Sequence, residues 1–382
     1  MDLIVERCAG LDVHRDTVVA TVGVPVRNRR GRHRETVIFR AMTAGLEQLA
    51  EWLAGFDVTL VGMEATGVYW RPVFRVLEPR FTCWLLNAQH LHNVPGRKTD
   101  VADSLWICQL VEHGLVRPSF VPPPLIRDLR ELTRTRKAQV EERTRVVQRL
   151  EKLLQDAGVK LTSVASGAWS KSARAMVEAM IAGQTDPAVL ADLAQARMRS
   201  KIPQLTEALA SSFRSDHHGV MAARLIAHID FLEDSIARLD DRVDEVAAPL
   251  ADIRDRVCTI PGVGKRTAEV IIAECGVDMT VFPTAAHLAS WAGICPGNRE
   301  SGGRRQCGRT RRGDKWLRKA LTEAAKAGAR TKGTYFAARH QALRRRRGRQ
   351  PCDRRDPPRH PRRLLAHAHQ RHRLPRPRSR LA

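Results

Sequence analysis

Two aspartates, Asp100 and Asp103, follow an Arg-Lys pair in the stretch GRKTDVADSLW at residues 96–106. On a helix, side chains at that spacing share one face, with Cβ atoms about 5–6 Å apart. Carboxylates held so close repel each other unless solvent or a cation stands between them. Two further acids sit where apolar runs end: Asp12 in CAGLDVHRD and Glu64 in VTLVGMEATG. Taken singly, each is as readily an ordinary strand-end or surface acid. Taken together, convergent carboxylate oxygens are what a pair of hard divalent cations needs. Such a pair both activates a nucleophile and stabilises the leaving group in phosphodiester chemistry. Arg97 and Lys98, just before Asp100, stand where a phosphate would approach, or else form a solvated basic loop.

Two later stretches also carry chemistry. In VCTIPGVGKRTAEVII, residues 257–272, Gly262 and Gly264 separate an apolar run from a new helix, the pattern of a helix-hairpin-helix. There glycine permits close approach and the helix N-terminus offers backbone N–H groups to a phosphate, with Lys265 and Arg266 adding charge. In WAGICPGNRESGGRRQCGRTRRGDKWLRKAL, residues 291–321, Ser301 precedes two glycines among Arg299, Arg304, Arg305, Arg309, Arg311 and Arg312. An exposed hydroxyl in a cationic loop suits a nucleophile attacking phosphorus, with arginines stabilising the developing charge. A Ser-Gly-Gly stretch is more often only a loop, and no His lies close in sequence to act as its base.

The elements that would position these residues follow from hydropathy patterning. Residues 8–26 read as strand, turn and strand, with Asp12 ending the first. A helix is expected near 44–54, a buried strand ending at Glu64, a third apolar run at FTCWLLNA, and a helix running to His113. Strands alternating with helices imply an α/β domain with a mixed sheet over residues 1–122. VPPPL at 121–125 breaks the chain, and a helical, charged region follows over 123–254. Within it Leu225, Ile229, Leu232, Ile236, Leu239, Val243 and Val246 alternate steps of four and three, a heptad seam. That seam either pairs helices within one chain or forms a coiled coil between protomers. Residues 255–343 are helical with Gly-rich interruptions. The tail, 344–382, has 15 Arg, 2 Asp and six Pro without apolar periodicity, so it cannot build a core.

The net charge of +24 makes a polyanion the expected partner, and +11 remains when the tail is set aside. No run of 18 apolar residues is present, and the N-terminus lacks the basic region of a signal peptide, so no membrane partner is expected and a cytoplasmic, nucleoid-associated location is. The eight cysteines, without CxxC or finger-spaced His, argue against a disulfide framework or zinc site and read as reduced, mostly buried thiols.

GLDVHRD, MEATGVYW, KTDVADS, IPGVGKRTA and WAGICPGNRESGG, in this order over roughly residues 1–340, resemble the DEDD transposases of bacterial insertion sequences, group one-ten. The resemblance implies a RuvC-like, ribonuclease-H-like N-terminal domain whose Asp12, Glu64, Asp100 and Asp103 bind magnesium. It also implies a helical C-terminal domain with Ser301 as nucleophile. It further implies a recombinase of donor and target DNA guided by a structured bridge RNA, assembled as dimers or tetramers. In such assemblies the acids of one protomer meet the serine of another, which favours the intermolecular role for the heptad helix. The Arg- and Pro-rich tail departs from the family's apolar ending, as a shifted reading frame or a basic arm would. Two other functions fit the same residues: a metal-dependent junction nuclease using water, and a catalytically decayed copy that only binds nucleic acid.

Overall fold

The computed structural model of the protein describes residues 4–26, 31–65, 67–87, 102–165, 169–295, 299–301, 304–306 and 313–347. For 102, 299–301, 304–306, 346 and 347 it describes the backbone alone. Arg97, Lys98, Asp100, Arg309 and most of the basic tail lie outside the described residues. The chain divides into two compact units, 1–121 and 122–382.

Unit one is a mixed five-stranded sheet with helices on both faces. Its elements are β1 (Cys8–Val13), β2 (Thr17–Pro25), β3 (Arg32–Arg40), α1 (Thr43–Gly55), β4 (Leu60–Glu64), α2 (Trp70–Leu77), β5 (Thr82–Leu86) and α3 (Ala102–Glu112). The strand order is β3-β2-β1-β4-β5. The first three strands pair antiparallel, while β1–β4 and β4–β5 pair parallel. Side chains alternate across each strand. Ala9, Leu11, Val13, Val61 and Met63 therefore share one face and pack with Leu46, Leu49 and Leu53 of α1 and Val73, Phe74 and Leu77 of α2. Cys8, Leu60 and Leu86 line the opposite face beneath Ile107, Cys108 and Val111 of α3.

Close seating of α3 depends on glycine. A Cβ at Gly10 would lie 2.2 Å from the Ser104 carbonyl oxygen and 2.3 Å from the Cys108 nitrogen, and one at Gly62 would lie 2.5 Å from Val111 Cγ2. Gly10 and Gly62 face each other across β1 and β4, so the helix backbone rests directly on the sheet. Gly10→Ala is expected to lower unfolding stability by about 3 kcal/mol in a denaturant titration, because backbone cannot yield as a flexible side chain does.

Polar contacts hold the same helix at both ends. Ser104 Oγ lies 2.7 Å from Thr21 Oγ1, which lies 2.8 Å from Thr36 Oγ1. At the far end the buried Glu112 carboxylate meets Arg32 at 2.6 Å and Arg34 at 3.0 Å.

Unit two is mostly helical: α4 (Pro124–Asp156), α5 (Leu161–Val164), α6 (Lys171–Ile181), α7 (Pro187–Asp192), α8 (Ile202–Leu209), α9 (Val220–Ala247), α10 (Ala251–Cys258), α11 (Lys265–Cys275), α12 (Ala285–Trp291), the strands β6 (Arg299–Ser301) and β7 (Arg304–Gln306), α13 (Lys315–Arg330) and α14 (Tyr335–Arg347). Pro124 opens α4, where its missing N–H costs nothing.

The long helices α4 and α9 run antiparallel. Ile126 and Leu129 at the start of α4 pack with Val243 and Ala247 at the end of α9. Val146, Leu150 and Leu154 pack with Ile226, Ile229 and Leu232. Ion pairs bridge the span between these clusters: Arg136 Nε to Asp240 Oδ1 at 2.6 Å and Arg143 Nε to Glu233 Oε1 at 2.7 Å. Part of the heptad seam is thus met inside the chain, while its middle residues Ile236 and Leu239 stay half-buried. Among the described residues no helix is long and apolar enough to cross a membrane. Of the six described cysteines, all free thiols, Cys8, Cys108 and Cys275 are buried and Cys83, Cys258 and Cys295 partly so.

Candidate active site

β1 and β4 run parallel with Leu11 opposite Met63. The next residues, Asp12 and Glu64, therefore stand side by side where both strands end. Alternation along the strands turns both toward the face that α3 covers. Asp103 lies in the first turn of α3. Asp12 feels the charge of both Asp103 and Glu64. The Asp12 carboxyl is held above its ordinary value, chiefly by burial; His14 pulls it back, and Asp103 and Glu64 push it further up.

His14 Nε2 lies 3.1 Å from Asp12 Oδ2, with Asp12 only 14% exposed and His14 57% exposed. His14 was not legible as a site residue in the sequence. The only signal was its place two residues after Asp12, in the turn before β2. Among the described residues no three His, Cys, Asp or Glu side chains stand close enough to hold a metal ion as a group. The fourth acid, Asp100, lies outside them. The chemistry of the set still suits a hard cation: the donors are carboxylates, and Asp12 is a partly buried one whose charge its acidic neighbours oppose.

The serine stretch folds as a small hairpin. β6 and β7 pair antiparallel with Ser301 opposite Arg304, Glu300 opposite Arg305 and Arg299 opposite Gln306. Ser301 is the last residue of its strand, immediately before Gly302-Gly303. The two ends of this segment are drawn together at glycines. A Cβ on Gly313 would lie 2.3 Å from the Gly293 nitrogen, and Gly293 itself has φ +68°.

The exit of the segment is anchored by a buried polar network. Asp314 Oδ1 accepts from Leu317 N at 2.7 Å, capping α13, while its Oδ2 accepts from Arg134 Nη2 at 3.2 Å. Arg134 also grips Glu274 through two bonds of 2.8 and 2.7 Å. Arg130 donates to the carbonyls of Ala273 and Glu274 at 2.8 and 2.7 Å, satisfying the end of α11. Burial holds the Glu274 carboxyl above its ordinary value, and the bidentate contact with Arg134 pulls it back. Glu274→Gln would leave Arg130 and Arg134 without their anion, so an unfolding titration should show a loss of about 3 kcal/mol.

The glycine turn between α10 and α11 has a structural reason. Gly262 has φ +90°, and a Cβ there would lie 2.3 Å from both the Ala324 carbonyl oxygen and the Gly328 nitrogen, so the turn rests on α13. Gly264, just before α11, has open space around it. The cations beside it are matched within the protein. Lys265 Nζ bonds Asp244 Oδ2 at 2.9 Å, and Arg266 meets Asp244 at 2.8 Å, Asp240 at 2.9 Å and Glu269 at 3.0 Å. Arg304 and Arg305 belong to β7. Nothing in the sequence hints that Lys265 and Arg266 face acids of α9.

Comparison with known proteins adds to this geometry. Residues 9–158 match a family model described as a transposase, and residues 254–341 match one described as the transposase IS116/IS110/IS902 family. The insertion element IS110 uncharacterized 43.6 kDa protein of Streptomyces coelicolor is 50% identical over 56 residues, 15% of this chain and 13% of that protein. The pilin gene-inverting proteins of Moraxella bovis and Moraxella lacunata are each 36% identical over 72 residues, 18% of this chain and 22% of theirs. The matched stretches therefore span about an eighth to a fifth of the length of these relatives.

Proposed function

Because the chain belongs to the IS110 family of DEDD transposases, we propose that it is a DNA recombinase, cutting and rejoining donor and target DNA through Ser301 and its four acids. What supports this reading is the parallel pairing of β1 with β4, which sets Asp12 beside Glu64, together with Asp103 in the first turn of the helix that packs on that face. Asp100 would complete the set, on a ribonuclease-H-like sheet. Magnesium held by these acids would supply Lewis-acid activation of a phosphodiester.

In the proposed reaction Ser301 Oγ bonds to phosphorus as one ester P–O bond breaks. The serine proton passes to a base and the departing oxygen gains one. The reverse displacement, by a hydroxyl of the new strand, frees the serine. The arginines beside Ser301, among them Arg304, Arg305 and Arg309, neutralise charge on the phosphorane. Arg97 and Lys98 bind the backbone near the acids. The start of α11 at Gly264 offers phosphate-binding N–H groups, with Gly262 setting the turn and Lys265 and Arg266 beside it. A structured guide RNA would read sequence by base pairing, since phosphate contacts alone cannot. Pairing of protomers through the helical region would bring one chain's serine to another's acids.

The test is a recombination reaction with purified protein, magnesium, element-derived RNA and paired donor and target DNA. A protein–DNA adduct that forms with magnesium and disappears with chelator supports the reading. Hydrolytic nicks without an adduct would instead indicate a nuclease, and binding without cleavage a catalytically silent copy.

A further inference from the structure

The register of the sheet draws a row that leads away from the acids. Asp12 pairs with Val19, and Val19 pairs with Ile38. Glu64, Asp12, Val19 and Ile38 thus lie in line across four strands, β4 to β3. The adjoining row, nearer the edge where the acids stand, pairs Thr17 with Arg40. Alternation puts Thr17, Val19, Ile38 and Arg40 on the same face as Asp12.

α3 seats on this face one row further in, where Ser104 bonds Thr21 and covers Gly10. The Asp12 row lies at the helix's beginning; further out along it Val19 is half-buried and Ile38 exposed. Ile38 is 67% exposed although it lies well inside a nine-residue strand. The three arginines on this face of β3 differ in partnership. Arg32 and Arg34 are bound to Glu112, whereas Arg40 is exposed and has no acidic partner among the described residues.

We propose that the open face of β2 and β3 is a cradle for a nucleic-acid strand running from the acids to the sheet edge. Val19 and Ile38 receive its sugar and base faces, and Arg40 takes a phosphate a nucleotide or two from the one the acids address. Neighbouring strands are about 4.8 Å apart, so Ile38 lies roughly 10 Å from Asp12, within the reach of such a segment. The proposal rests on the acid-site reading above for its direction along the strand.

The surface favours nucleic acid over a second copy of the chain. Two apolar side chains, one of them half-buried, fall far short of the roughly 800 Å² per partner of a stable protein interface. The face is continuous with acids that would address a phosphodiester, and it carries Arg40, which has no acidic partner among the described residues, on a chain of net charge +24.

The test uses the full chain in chelator and a labelled single-stranded oligonucleotide, followed by anisotropy over a salt series. Arg40→Ala should weaken binding about three- to tenfold and lower the salt slope by about one. Ile38→Asp should weaken it about tenfold, while Val189→Asp, which places the same charge on an exposed apolar site of unit two, should not. Because the 15 arginines of the tail also attract phosphate, a position-specific readout accompanies these. A photoreactive benzoylphenylalanine in place of Ile38 should crosslink to the oligonucleotide.

Equal binding and slope in Arg40→Ala and Ile38→Asp, or absence of the crosslink, would overturn the cradle. So would a change confined to self-association by size exclusion, which would make the occupant a second copy. Cleavage that survives in Asp12→Asn would instead overturn the acid-site reading, so the two failures are separable.

Discussion

Ser301→Ala is expected to eliminate the protein–DNA adduct and recombination, by at least about 10⁴-fold, while binding to DNA stays within a factor of two. A nucleophile that forms a covalent intermediate has no substitute in its own position, and loss of such a group removes most of the rate enhancement at once. Truncation to Ala should spare the fold. Ser301 ends β6, and the stem of its segment is held elsewhere, at Gly293–Gly313 and through the Arg134–Asp314–Glu274 contacts. The readout is a denaturing gel with and without protease, using labelled DNA. If nicking persists at the original rate in Ser301→Ala, water is the nucleophile and the protein is a nuclease.

Asp12→Asn should lower cleavage by about 10³-fold or more, since an activated, charge-stabilised phosphodiester is worth several kcal/mol of barrier. The same variant should not melt lower than the native chain without metal near neutral pH. The Asp12 carboxyl titrates above its ordinary value in the fold, mainly through burial, with Asp103 and Glu64 adding to the shift and His14 opposing it. A carboxyl raised on folding contributes stability that is complete below its unfolded value and is lost as pH climbs through the folded value. Near neutral pH its ionised form is therefore a burden, and the neutral amide relieves it. Magnesium should raise the melting temperature of the native chain and do so less for Asp12→Asn, because a ligand stabilises only the state that binds it. Equal metal-induced shifts in both chains would remove Asp12 from the proposed metal set.

Much of the first unit was legible in the residues. β4 ends at Glu64 and β1 runs through Asp12 to Val13, as the apolar runs ending there imply, and the helix expected near 44–54 is α1. The strand β3 was not legible. RHRETVIFR is dominated by charged residues, because an edge strand has one open face and defends it with charge. The helix α2 was hidden in the same way, its eight residues being too few for a clear helical period. In the second unit the heptad spacing of α9 was plain, but spacing alone cannot say which helix meets the seam. The packing of α4 along α9 answers that for both ends of the seam.

Residue types and their order set out the groups available for chemistry: four acids, a serine among arginines, a strongly positive charge and a pattern of motifs sufficient to place the family. Those properties reside in residue type and local order. Which of these groups become neighbours depends on how distant elements pack. Asp12 and Glu64 become neighbours because β1 and β4, some fifty residues apart in the chain, pair in one parallel register. Asp103 comes into electrostatic range of Asp12 because glycines at positions 10 and 62 let α3 lie directly on the sheet. Lys265 and Arg266, beside the glycine turn, face Asp240 and Asp244 of α9. Charge partnership depends on distance through space, and distance through space is set by packing between elements far apart in the chain.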